Sequence, residues 1–222
     1  MRALLVTLLL LPRLAAAAER PAVSVLYFEN RTGKADYDVL RKGLADMIVS
    51  DLAIWDGVTV VERERLESVL GELKLQHTRA FDAASRQKIG QLLGAQYILA
   101  GTLNLAGQTL AIDAQLIEVQ TGVVRVAARA TGTPDRVFDL EQDLVNRITA
   151  AIDAKLKDPG ARRRVQVPDL KTLLSYSRAI DLWDRGRLDE AAQAMRLVVS
   201  QAPTFIMARE RAAWMLLDVG AN

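Results

Sequence analysis

Between Ala95 and Gly132 three runs of strand character follow one another with almost nothing between them: AQYILAGTLNL, TLAIDAQLIEV and GVVRVAARATG. The joints AGQ and QTG are polar or glycine-bearing and of the length at which a strand turns back beside its predecessor. A parallel neighbour would need a crossover of about a dozen residues or more. The runs therefore predict an antiparallel meander of three strands. In the second, Leu110, Ile112, Ala114 and Leu116 alternate with Ala111, Asp113, Gln115 and Ile117, so one face is apolar and the other mixed. An apolar sheet face must be covered by a second layer.

The preceding residues supply part of that layer. Ala22 to Phe28 (AVSVLYF) is apolar on both faces and ends in the turn-forming NRTG, as a buried strand does. Tyr37, Leu40, Leu44, Met47 or Ile48, and Leu52 then recur at helical spacing, with Asp36 placed to cap the start. GVTVVER (Gly57 to Arg63) reads as a short strand, and ERLESVLGELKL as a helix whose stripe is Leu66, Val69, Leu70 and Leu73. Asp82 caps a third helix with an apolar face of Ala83, Ile89, Leu92 and Leu93. Gly94 stands where helices end in a left-handed residue. Beyond the meander, Thr133 and Pro134 fit the cap and first turn of a long helix with the stripe Val137, Leu140, Leu144, Ile148 and Ile152. The expected fold class is α/β (α+β), with a mixed five-stranded sheet packed with helices.

These residues resemble a known family. The first strand with its NRTG turn, the VVERERLESVLGELKL segment and FDAASRQKIGQLLGAQYILAGTL are similar to the periplasmic domain of the CsgG-like family (curli production assembly/transport). The most specific phrase is IGQLLGAQYILAG, in which a glycine joins a helix directly to a strand. The resemblance covers about residues 20 to 156. It implies a fold shared with penicillin-binding-protein activator lipoproteins and with the N-terminal domain of TolB, and a role in assembly or secretion at the bacterial envelope. The channel-forming members resemble this chain less. They carry an N-terminal lipidated cysteine and two membrane hairpins, whereas this sequence has no cysteine and its hairpin joints are a few residues long.

The N-terminus reads as a targeting segment. MRALLVTLLLLPRLAAAAER has a charged start at Arg2, an apolar centre from Ala3 to Leu11 and an Ala16-x-Ala18 end, the pattern of a secretory signal peptide over residues 1–18. Its removal changes the charge argument. The chain has 29 Lys and Arg against 27 Asp and Glu; without Arg2 and Arg13 the basic residues fall to 27 and the net charge to zero. Nucleic acid is therefore not an expected partner. The remaining basic cluster, Arg162 to Arg164, lies in KDPGARRRVQVP, which has no period and reads as a linker over residues 157–168.

After the linker the pattern is wholly helical. LKTLLSYSRAIDLWDRGRLDEAAQAMRLVVSQAPTF resembles one tetratricopeptide repeat: Ala179, Gly186, Leu188, Ala191, Met195 and Pro203 fall near its small, turn, large and helix-ending positions. A third helix is expected over Phe205 to Leu217. Repeat arrays need about three units for stability, so residues 169–222 must dock on the first domain, on another copy or on a partner. Leu173, Tyr176, Ile180 and Trp183 form one stripe at helical spacing. Two uses are open to it: a groove for a protein partner, or core buried against the α/β domain.

Chemistry is sparse. Gly33 and Lys34 in NRTGKAD sit like the end of a phosphate-binding loop, but the first glycine position is Phe28 and the following Ser or Thr position is Ala35, so a turn accounts for them better. His77 is the only histidine and cannot found a zinc site without cysteine or a second histidine. Glu62 and Glu64 start a helix, where the dipole favours acids, and two residues apart they share no face. No cofactor, metal site or catalytic set is expected. The sequence points to a non-enzymatic protein-binding factor of the periplasm, free or held at the outer membrane by an envelope partner, without a lipid anchor of its own and open to homo-oligomerisation. The alternative is a subunit of a CsgG-like outer-membrane secretion channel.

Overall fold

The computed structural model describes residues 20–75, 81–152, 155–156 and 169–221. The signal-peptide reading, His77 and the 157–168 linker fall outside them.

The first strand is shorter than its apolar run. β1 (Ala22–Val25) gives way at Leu26, and pairing resumes in the two-residue β2 (Glu29–Asn30). Val25 lies opposite Leu99 and Glu29 opposite Thr102, so this side carries one more residue than its neighbour, a bulge. NRTG is a turn. The Asn30 side-chain oxygen accepts from the Thr32 N–H (2.9 Å) and hydroxyl (2.7 Å), while its amide donates to the Lys34 carbonyl and Asp38 (2.9 Å each). Asp36 does not cap the following helix: a 3-10 turn occupies 35–38 with no side-chain cap, and α1 (Leu40–Leu52) starts after it.

Two short strands, β3 (Trp55–Asp56) and β4 (Thr59–Val60), precede α2 (Arg63–Glu72) and α3 (Ala83–Leu93). Asp82 caps α3 as expected, accepting from the Ser85 N–H at 2.7 Å. The inward side of α3 is Ile89, Gly90 and Leu93, packed toward Ile98 and Val119. This corrects the expected stripe: Ala83 is exposed and Leu92 is 46% exposed. Gly94 has φ +64°, a conformation that costs a side-chain-bearing residue more than glycine. Two residues later the Gln96 N–H reaches the Ala22 carbonyl (2.8 Å), so the helix delivers the chain straight into the sheet beside β1.

The meander is β5 (Tyr97–Ala106), β6 (Thr109–Glu118) and β7 (Val124–Gly132), antiparallel throughout. β1 and β5 run parallel, joined through the intervening helices, and the sheet order is β4-β1-β5-β6-β7 with β2 also on β5. Register aligns the apolar side chains: Leu99 opposite Leu116, Leu103 opposite Ile112, Ile112 opposite Ala130. α4 (Val137–Ala151), entered through a 3-10 turn over 134–136, lies across β6 and β7, and α1 packs beside it. Ile98 and Leu99 are both buried although they point to opposite faces, so helices cover both sides of β5 there. A second small sheet pairs β3 with β8 (Lys155–Leu156).

α5 (Leu170–Asp184), α6 (Leu188–Gln201) and α7 (Ile206–Ala221) form the C-terminal module. Gly186, at φ +73°, turns α5 into α6, and the two helices pack side by side over the buried Ala179, Ala191 and Met195. α7 packs on α6, and α5 packs on α1 of the α/β domain.

Candidate functional site

The contact between α1 and α5 begins with a small residue. A Cβ on Gly43 would stand 1.8 Å from the Ser177 hydroxyl oxygen and 2.8 Å from its Cβ, so only glycine lets the backbones come this close. Leu173, Tyr176 and Ile180, three of the stripe residues with two readings, are fully buried at this seam; Trp183 is half-buried against the core. The structure thus uses the stripe for contacts within the chain. Phe205 completes the apolar part, with its ring 5.1 Å from Tyr176 and edge-on to Phe138 of α4 at 6.4 Å.

Around this patch lies a network of charges that the sequence reading did not identify. Asp46 of α1 is 1% exposed and receives the Tyr176 hydroxyl and the Arg211 guanidinium of α7. Arg63 of α2, 4% exposed, binds Asp184 at the end of α5 and has Nε 3.6 Å from Asp46. Lys42 Nζ holds both Asp181 (3.1 Å) and Asp184 (2.8 Å) and lies 5.4 Å from the centre of the Tyr27 ring. Lys42, Arg63 and Arg211 thus face Asp46, Asp181 and Asp184, so each of these buried groups has a partner of opposite sign. Burial opposes the charge on Arg63, but Asp184, Tyr27 and Asp46 outweigh it and hold the guanidinium above its ordinary range. Arg211 behaves alike, with Asp46 the main opposing influence. Burial, then Asp46, pushes the Tyr176 phenol well up, so it remains a donor. Glu67 is raised by burial and by Asp184, and accepts the Tyr27 hydroxyl.

Glu62 and Glu64 sit where their sequence placed them, at the start of α2, and are exposed. Neither faces the other as an acid–base pair; Glu64 instead meets Arg211 at 3.1 Å. Arg63, the residue between them, is the one that turns inward. Its signal was present in the sequence: Arg63, Leu66 and Leu70 fall at helical spacing on one side, so a charge interrupts an apolar stripe. Asp184 extends the stripe of Leu173, Tyr176 and Ile180 in the same way.

A second buried acidic site lies on the other side of α1. Glu141 of α4 is 1% exposed and interacts with Asp51 near the end of α1. Burial, reinforced by Asp51, pushes the Glu141 carboxyl well above its usual range, and burial raises Asp51 as well. No cluster of three or more His, Cys, Asp or Glu able to hold a metal occurs among the described residues. No described helix is long and apolar enough to cross a membrane.

The chain is similar to several known proteins. The model of the family described as curli production assembly/transport component CsgG matches residues 6–105. The matched stretch includes the IGQLLGAQYILAG junction on which the resemblance rests. A curated relative, the putative adenylate cyclase 3 of Rhizobium meliloti (strain 1021), is 26% identical over 145 residues, 65% of this chain. The chain spans 23% of that relative's length. Similar solved structures include the LpoB C-terminal domain from Salmonella enterica, at TM-score 0.45 and 21% identity, covering 51% of this chain and 83% of that one. Lipoprotein GNA1162 from Neisseria meningitidis follows at 0.43 and 17%, covering 58% and 96%, and TolB from Acinetobacter baumannii at 0.42 and 15%, covering 60% and 28%.

Proposed function

We propose that this chain is a periplasmic, non-enzymatic factor that binds a protein partner within a cell-envelope complex. The observation that carries the reading is the seam: buried, charge-balanced contacts from Lys42, Asp46 and Arg63 to Tyr176, Asp184 and Arg211 join the CsgG-like domain and the helical module into one body. A fixed two-part body offers a broad, pre-shaped surface, and pre-organisation reduces the entropy lost on binding a macromolecule. The CsgG family match supports the envelope setting, and the leader pattern of residues 1–18 supports export. The helical module is read as a tetratricopeptide-like extension of the binding surface. Cyclase activity belongs to the relative's name and to a protein more than four times the matched length, so it is not carried over.

The test is affinity purification of the tagged full chain, at native abundance, from fractionated cells. Release by osmotic shock together with an envelope protein in fixed ratio is the expected outcome. Recovery alone and monomeric would remove the support for an adaptor role, and detergent-requiring rings in the outer membrane would favour the channel alternative.

A further inference from the structure

Among the described residues, Asp46, Arg63 and Glu141 are the charged residues with least exposure. The first two meet opposite charges across the seam. Glu141 lies on the α4 face that buries Val137, Leu144, Val145 and Ile148, and it meets only another acid, Asp51 of α1, with which it shares a hydrogen bond. Its Oε1 is buried without a partner. Two carboxyls can share a hydrogen bond only while one of them holds a proton. Glu141 is the holder: it is the more deeply buried, and the bond favours its neutral form and the charged form of Asp51.

The charged groups of the neighbouring elements are engaged elsewhere. Lys42 and Asp46 of α1 turn to Asp181 and Asp184, and to Arg63, Arg211 and Tyr176. Arg41 donates to the Phe28 carbonyl. In the 3-10 turn before α1, Asp36 meets Arg178, Asp38 accepts from Asn30, and Tyr37 lies near Asp135. β1 carries no charge. Around α4, Arg129 of β7 pairs with Asp113 of β6, Arg125 with Glu118, Arg136 with Asp139, and Arg147 with Asp143. None of these bears on Asp51 or Glu141.

We propose that Asp51 and Glu141 form a proton-held latch between α1 and α4, shut while the pair keeps one proton and opened when that proton is lost. Two carboxylates in contact in a dry site repel, and parting the helices relieves them by admitting water. On its other side α1 is fixed to α5 by ion pairs, so the α4 contact yields first. β3, just after α1, pairs with β8, just after α4, and this tie lets the helices part without separating. Once open, Glu141 meets water and titrates as an ordinary glutamate, at about pH 4.3. Shut, burial and Asp51 keep its proton to higher pH. The shut state is therefore fully favoured below the ordinary value and loses ground as pH rises through the raised one.

Hydrogen exchange of the full chain as recovered from cells, followed from about pH 5 to about pH 9 and corrected for intrinsic exchange rates, tests this. Protection in α1 and α4 should fall by up to about tenfold per pH unit above the pair's titration, the limit for one proton, while the β5–β6 ladder keeps its own. Glu141→Gln cannot ionise and should hold both helices protected throughout. Asp51→Asn supplies an amide donor and no second charge, so it should reduce the fall. Carbon-13 NMR of the glutamate carboxyls in the unsubstituted chain depends on no variant: Glu141 should stay protonated where exposed glutamates are ionised. A Glu141 carboxyl that ionises with the rest, an equal loss of protection in the β5–β6 ladder, or a Glu141→Gln chain that opens like the parent would each overturn the proposal.

Discussion

α1 carries two buried acidic sites on different sides, and they behave oppositely. Asp46 meets Arg63, Arg211 and the Tyr176 hydroxyl, so charge answers charge. Asp51 meets Glu141, another acid, and no ion pair to either is observed among the described residues. Burial acts on both sites, but only the first has cations to offset it. The two sites differ in their neighbours, not in the type of residue that α1 contributes. The same contrast separates two kinds of packing. α1 meets both α4 and α5 in one continuous core, and only the α5 side adds specific ion pairs to the apolar contact.

The strongest way to break the contrast is to remove a cation. Arg63→Ala leaves Asp184 and Asp46 short of a partner in a buried setting, and unfolding free energy should fall by about 3–5 kcal/mol. Denaturant melts measure it. Arg63→Met, paired with Asp184→Leu, replaces charge with apolar volume and should recover much of the loss, since buried ion pairs give little net stability over a well-packed apolar substitute. If the single variant costs nothing, the seam is not a structural joint.

Next in size is Tyr176→Phe. It keeps the ring against Phe205 and removes only the hydroxyl donated to Asp46, a hydrogen bond to a charged group worth about 1.5–3 kcal/mol. A double-mutant cycle with Asp46→Asn should show coupling, because the two act in one network. Gly43→Ala tests the close approach rather than the charge. The added methyl collides with Ser177, and overpacking of this kind costs about 1–3 kcal/mol. Ser177→Gly in the same chain removes both the hydroxyl and the Cβ from its path and should restore most of the loss.

How far the sequence discloses this arrangement depends on the range of the signal. The meander, the Asp82 cap and the Gly94 junction were readable because turns and caps act over a few residues. Leu92 misled because a stripe shows that a helix is amphipathic, not how its axis is rolled on the sheet. The seam is long-range: Asp46 finds Tyr176 and Arg211 well over a hundred residues away, and without its partners an aspartate in α1 reads as solvent-facing. Asp36 failed as a cap because a 3-10 turn intervened before α1. Position carries a signal as well: Arg63 and Asp184 both lie on apolar stripes, where a charge must be answered by another.

The smallest expected effect, and the sharpest on the contrast within α1, is Glu141→Gln. Folding raises the Glu141 carboxyl above its unfolded value, so the folded state holds a proton that the unfolded chain releases near pH 4.3. The stability linked to that proton is fully present below the unfolded value and is lost as pH rises through the folded one. Over that window the slope reaches at most about 1.4 kcal/mol per pH unit for one group. Glutamine resembles the protonated acid in shape and does not titrate. Glu141→Gln should therefore leave stability nearly unchanged at low pH and flatten its decline above that point, as measured by chemical denaturation across pH. Asp51→Asn should act in the same direction, since burial raises that carboxyl too. At the seam the sign differs. Asp46→Asn removes the anion that Arg63 and Arg211 face, and it should destabilise the fold at neutral pH rather than relieve it. If both asparagine variants behaved alike, the two sites would share one electrostatic character, and the distinction drawn from their neighbours would fail.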